Sequence, residues 1–219
     1  AEYVLLGELG KTRREPFEMA VLALRESYRD ESEQAAVRRQ ALEAIAYTGT
    51  GGVAELIRNA YQSEDEQMRI SAVIAMGRSA DENWSVIVRR ELGSTNPKMR
   101  LKATRASGEL QLREAVTEIV ELTDDVAQPI RLAAVWALGQ IGGKVAEKAL
   151  RFLLESELDD SEMQNAAREA LQELEFFHGD PASFFGPPTR YDGETEESWG
   201  LDELLSDFGD EDDDDVEWV

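Results

Sequence analysis

Cysteine is absent from all 219 residues, which excludes disulfide scaffolds, thiolate zinc sites and cysteine nucleophiles. Histidine occurs once, at His178, so a multi-histidine metal site is excluded as well. Cations are scarce: 23 Lys and Arg stand against 46 Asp and Glu, for a net charge of −23. Nucleic acid and anionic membrane both require clustered Lys and Arg, so neither is expected as the main partner. A protein partner with a basic surface is the natural expectation instead. No run of 18 apolar residues occurs, so membrane insertion is not expected. No signal-peptide pattern opens the chain, and a cytoplasmic location is the default expectation. Only 5 of the cations are Lys, and low Lys with excess acid also fits adaptation to high salt.

What the sequence does have is an internal repeat. Val37-Arg38-Arg39-Gln40-Ala41-Leu42-Glu43-Ala44 aligns with Met68-Arg69-Ile70-Ser71-Ala72-Val73-Ile74-Ala75. The pattern returns as Met99-Arg100-Leu101-Lys102-Ala103-Thr104-Arg105-Ala106 and as Ile130-Arg131-Leu132-Ala133-Ala134-Val135-Trp136-Ala137. A fifth copy starts at Met163. An apolar residue stands first in each copy, and alanine stands fifth and eighth in all five. Those offsets place the alanines on one helical face, where a small side chain lets a neighbouring helix come close. Gly77, Gly108 and Gly139 share a column just beyond, which fits either a close helix crossing or a helix end.

A second apolar stripe follows each copy. Val53, Leu56, Ile57, Ala60 and Tyr61 form the first, and Trp84, Ile87, Val88 and Leu92 the next. Val116, Ile119 and Val120 follow, and then Val145, Ala149, Leu150, Leu153 and Leu154. Each repeat therefore reads as a helix, a turn and a second helix. Ser63-Glu64-Asp65, Ser94-Thr95-Asn96-Pro97, Thr123-Asp124-Asp125 and Asp159-Asp160-Ser161 carry helix-start chemistry, because their side chains satisfy free backbone N–H groups. Gly49 to Gly52 lacks a phosphate-loop lysine and reads as a turn between helices.

Helix pairs of this length cannot bury a face alone, so they stack into a solenoid. Residues 37–175 resemble the HEAT-like repeat family in its short, bilin-lyase-type form; "VRRQALEAI", "MRISAVIAMG" and "IRLAAVWALGQIGG" carry the likeness. The resemblance implies an all-α fold, a right-handed superhelix of about five helix pairs. It also implies that the second helices line a concave surface. Residues 1–36 read as a partial N-terminal repeat, since Leu6-Gly7-Glu8-Leu9-Gly10 resembles Leu138-Gly139-Gln140-Ile141-Gly142. The solenoid is expected over 1–177, with repeats starting near 37, 68, 99, 130 and 163.

Composition changes near residue 177. From 180 to 219 the chain holds 15 acidic residues and one Arg. Residues 178–219 read as a Pro/Gly linker and a largely irregular acidic tail. Within it Leu201, Leu204, Leu205 and Phe208 fall at i, i+3, i+4 and i+7, a short amphipathic helix near 201–208 flanked by Trp199 and Trp218. Docking of this helix on a partner and folding back onto the solenoid both use the same apolar residues. The run from Asp210 to Asp215 lacks the glycine turn and spaced ligands of a calcium loop.

The arginine column (Arg38, Arg69, Arg100, Arg131) reads as structural, pairing with acidic joins such as Asp65 or Asp125. Arg58, Arg89 and Arg90 on the second helices are candidate partner contacts, as is Trp136, whose column is otherwise mostly polar. Trp84 reads as core. No catalytic residues, metal site or cofactor are expected, because no acid–base pair stands out from the abundant carboxylates. The expected function is a non-enzymatic scaffold or adaptor that displays the solenoid face and recruits a basic partner with the tail. A pigment-handling factor, as the bilin-lyase resemblance implies, is one alternative. A charge-mimicking tail that occupies a basic site is the other.

Overall fold

A computed structural model of the protein describes residues 14–155 and 161–178. Ten α-helices occur among them. They are α1 (Arg14–Arg29), α2 (Ala35–Ala46), α3 (Val53–Tyr61), α4 (Glu66–Arg78) and α5 (Ser85–Glu91), followed by α6 (Pro97–Glu109), α7 (Val116–Glu121), α8 (Gln128–Ile141), α9 (Gly143–Glu155) and α10 (Ser161–His178). Short 3-10 turns precede α5 and α7. Two of the expected starts are capped as their chemistry predicts. The Asp65 carboxylate accepts from the Gln67 N–H at 2.9 Å, and Asn96 accepts from the Lys98 N–H at 2.9 Å, with Pro97 in the first helical turn. Before α8 the acid sits further upstream, where Asp125 accepts from the Ala127 N–H at 2.8 Å.

The repeat-bearing helices α2, α4, α6, α8 and α10 pack on one another in order, and α1 packs on α2. The second helices α3, α5, α7 and α9 lean on this row; among them only α7 and α9 make an extended mutual contact. The architecture is an α-solenoid. The fifth-column alanines Ala41, Ala72, Ala103, Ala134 and Ala167 are all buried at the row's contacts.

Gly77, Gly108 and Gly139 occupy the last turns of α4, α6 and α8 with helical backbone, so they serve a close crossing rather than a helix end. A Cβ added at Gly77 would lie 2.9 Å from the Ala106 Cα, and one at Gly139 would lie 2.9 Å from the Ala170 Cβ. Each glycine thus faces the eighth-column alanine of the next repeat. Ala46 fills the same column in the first repeat and is buried too. Ala44, the eighth-column residue of α2, is only half-buried, whereas its counterparts in later repeats are buried. Val37 is likewise 37% exposed, against 7% or less for Met68, Met99, Ile130 and Met163.

The helix ends use a different column. Gly49, Ala80, Gln111 and Gly142 are each 31 residues apart, and all have positive φ, at 60°, 51°, 51° and 68°. The chain must turn sharply after each first helix, and this residue makes the turn. The Gln111 N–H donates to the Gly108 carbonyl at 3.0 Å, and the Leu112 N–H reaches back to Ser107 at 3.0 Å. Alanine and glutamine suffer a Cβ clash there that glycine does not. Replacing Gln111 by glycine is therefore expected to raise stability by about 0.5–1 kcal/mol, after the entropic cost of glycine is subtracted. The urea midpoint of Q111G against the parent checks it, and a lower midpoint would refute the strain.

Candidate functional site

The second-helix face holds the cationic candidates. Arg58 lies on α3, and Arg89 and Arg90 lie on α5. The Arg58 guanidinium sits 5.7 Å from the centroid of the Trp84 ring, a cation–π distance. Trp84 itself is buried, as expected for a core residue, although its indole N–H has no hydrogen-bond partner. Arg89 Nη2 is 2.5 Å from the Glu118 carboxylate on α7. Arg90 Nη2 donates to the Tyr61 hydroxyl at 2.5 Å, and the same hydroxyl donates to Glu91.

These contacts set the local ionisation. Burial raises the Tyr61 phenol above its ordinary value, the bond to Glu91 adds to this, and Arg90 opposes it. At Glu118 burial resists ionisation, but a backbone hydrogen bond and Arg89 outweigh it and hold the carboxyl below its usual range. The three arginines therefore tie second helices to the neighbouring repeats. Arg89 and Arg90 keep roughly half of their side-chain surface open, 47% and 63%, and remain reachable from solution.

Trp136 belongs elsewhere. It is half-buried on α8, and a Cβ at Gly108 would come 2.6 Å from its ring atom Cζ3. Its place is the seam between α6 and α8, among the first helices. Trp199, Leu201, Leu204, Leu205, Phe208 and Trp218 lie outside the described residues, as does the partial repeat before residue 14.

The arginine column binds backbone. Arg38 Nε donates to the Tyr28 carbonyl at 3.0 Å, and Arg69 Nη1 to the carbonyls of Ser63 and Glu64 at 2.8 and 2.9 Å. Arg100 Nη1 donates to Ser94 at 2.7 Å and Arg131 Nη1 to Asp125 at 3.1 Å. Each arginine thus holds the turn that enters its own repeat. The expected acidic pairing occurs at Asp125, whose carboxylate takes both Nε and Nη2 of Arg100, at 2.7 and 3.2 Å. Asp65 spends its carboxylate on the α4 cap.

One surface was not singled out by the sequence pattern. Val145 was read as part of the core stripe of α9, but Ala146, Leu150 and Leu153 are the buried residues and Val145 is 62% exposed. Leu150 and Leu153 are buried as the stripe requires, Ala149 and Leu154 pack on the core edge, and only Val145, in the first turn, faces out, its place taken by Ala146. The cation density around it (Lys144, Lys148, Arg151) was the signal available in the sequence.

Residues 87–172 match the family model for HEAT repeats. No curated protein sequence matches the chain. Among solved structures, the fold is similar to that of an engineered protein from the Northeast Structural Genomics Consortium. The TM-score is 0.51 at 20% identity, covering 78% of this chain and 87% of that one. HEAT repeats as a class mediate protein–protein interaction through the extended surfaces that stacking creates. Stacked helix pairs and alanine and glycine seams make the described residues an α-solenoid, in which residues 87–172 match HEAT repeats.

Proposed function

We propose that the protein is a non-enzymatic interaction scaffold whose second-helix face and acidic tail together recruit a partner with a basic surface. The observation that carries this reading is the single-layer stack itself. Each of the repeats that start at 37, 68, 99 and 130 contributes one second helix, so the face grows with repeat number. The charge split supports the division of labour, since 15 acids and one Arg fall within residues 180–219. Such a segment steers a cationic partner from a distance, while the second-helix face supplies the surface it meets.

Crosslinking in source cells, followed by reconstitution from purified components, tests the proposal. The full chain is expected to bind the reconstituted partner, and removal of residues 179–219 is expected to weaken binding by about tenfold or more at about 0.05 M salt. The difference should shrink at about 0.3 M salt, where exposed charges are screened. Retained affinity after truncation would remove the tail from the proposal and leave recognition to the helical face. The absence of any reconstituted complex would overturn the scaffold reading. The pigment-handling alternative has no support in the geometry of Arg58, Arg89 and Arg90, which are engaged with Trp84, Glu118, Tyr61 and Glu91.

A further inference from the structure

Helix α9 sets a cationic stripe beside exposed apolar side chains. Between Gly143 and Phe152 it carries Lys144, Lys148 and Arg151 against the single acid Glu147, in a protein whose net charge is −23. The cations are spaced i, i+4 and i+7, so they form one stripe. Val145 and Phe152, 62% and 71% exposed, are also seven residues apart and lie on one face, about 10.5 Å apart along the axis. Two large apolar side chains thus stand beside a cationic stripe, both turned to solvent.

A cleft of about 580 Å³ opens at the start of this helix, between α7, α9 and α10. Val116, Ile141, Leu171 and Leu174 give it an apolar floor, and Val145 stands at its edge. Arg113, Lys144 and Arg151 supply the cations of its wall. Arg151 is partly neutralised by Glu147 at 2.9 Å and Glu175 at 3.9 Å. Arg113 and Lys144 make no hydrogen bond or ion pair among the described residues. The cleft thus joins an apolar groove to unspent positive charge, and the exposed stripe of α9 extends it for two further turns.

We infer that the α9 face and its cleft form a docking site for an acidic amphipathic helix of a partner protein. The apolar side of such a helix, with anchors at i, i+3/i+4 and i+7, would cover Val145 and Phe152 and enter the cleft. Its carboxylates would meet Lys144, Lys148 and Arg113. Charge complementarity selects an acidic helix: a basic helix would face four like charges, and an uncharged apolar segment would leave the cations unpaired. Peptide binding that appears only after removal of residues 179–219 would overturn the proposal in favour of the chain's own 201–208 segment. This site goes beyond the scaffold reading, because it selects a partner of the opposite charge to the one recruited by the tail.

Fluorescence anisotropy on the full chain tests the inference. The probe is a labelled peptide of about fifteen residues with leucines at helical spacing and glutamates on the other positions. Saturable binding is expected. The doubly reversed variant K144E/K148E is expected to bind at least about tenfold more weakly, and Phe152→Ala about three- to tenfold more weakly. A peptide of the same composition with its leucines out of register is expected to lose a similar factor. All three substituted side chains are exposed, so folding should survive, and helicity by circular dichroism verifies it. Absence of saturable binding, or affinity unchanged in K144E/K148E, would overturn the proposal. Self-association of the parent in sedimentation, abolished by Phe152→Ala, would overturn it in favour of a second copy as the occupant.

Discussion

Gly77→Ala is expected to lower stability by about 1–2 kcal/mol, even though alanine is the better helix former by about 1 kcal/mol. The new methyl group would lie 2.9 Å from the Ala106 Cα and 3.0 Å from its Cβ. It would also meet a carboxylate oxygen of Glu109, but that side chain can swing aside, whereas the backbone of α6 cannot. Helices α4 and α6 must then separate, which loosens Ala72, Ala75 and Ala103 at the same contact. Valine at this position is expected to cost about 3 kcal/mol or more, by the same overpacking. Gly51→Ala provides the control. Its added Cβ meets nothing within 4 Å and its φ is not positive, so that variant is expected to gain about 0.4–1 kcal/mol. Chemical denaturation of the three variants measures the effect. Equal or higher stability of Gly77→Ala would show that the first helices do not meet at this residue.

The second large effect is expected at Asp125. This carboxylate holds Arg100 through two bonds, accepts the Ala127 N–H, and is only 7% exposed, with Arg100 at 16%. Asp125→Ala would leave the guanidinium largely buried with one carbonyl partner, Ser94, and would release the turn into α8. The expected loss is about 2–4 kcal/mol. The pair also gives a pH signature. The hydrogen bond from Arg100 lowers the Asp125 carboxyl below its ordinary value; partial burial opposes this, and the Ala127 N–H and the charges of Arg100 and Arg131 reinforce it. A depressed folded-state value means the contribution is fully present above the unfolded-state value of about 3.9 and is lost as pH falls through the folded one. The stability gap between the parent and Asp125→Asn should therefore be widest near neutrality and should close below about pH 4. Denaturation midpoints from about pH 7 to pH 3 check this, and a gap that stays constant with pH would show that the ion pair is not formed.

The solenoid was legible because its stacking contacts require the smallest side chains at fixed intervals. Ala41, Ala72, Ala103, Ala134 and Ala167 recur for a steric reason, so the repeat appears in plain sequence. The glycine column left two readings open, since a crossing and a helix end both favour glycine. The helix-end column was harder to see: Ala80 and Gln111 adopt the same turn as Gly49 without being glycine, because tertiary packing imposes it. The arginine column was read correctly as structural, but its main acceptors are carbonyls, which carry no sequence signal. At the candidate site, Arg58, Arg89 and Arg90 share the second-helix face as expected, and their partners Trp84, Glu118 and Tyr61 come from neighbouring repeats. Val145 differs from the rest of its stripe because it stands in the first turn of α9, where Ala146 takes the buried position and nothing among the described residues covers the valine.

The two sides of the stack are joined by different kinds of contact. Along the first helices, backbones meet directly at glycine and alanine, and no slack exists between them. Across the second helices, the links include long side chains such as Arg89 to Glu118 and Arg90 to Tyr61, which can lengthen by changing rotamer. The first-helix contacts of residues 14–178 are therefore the rigid line of the stack, and the second-helix contacts its adjustable side. A load applied to the second helices spreads them at the cost of rotamer changes, while the first-helix edge keeps its length. The curvature of the stack is set on the second-helix side, with the repeats themselves unchanged.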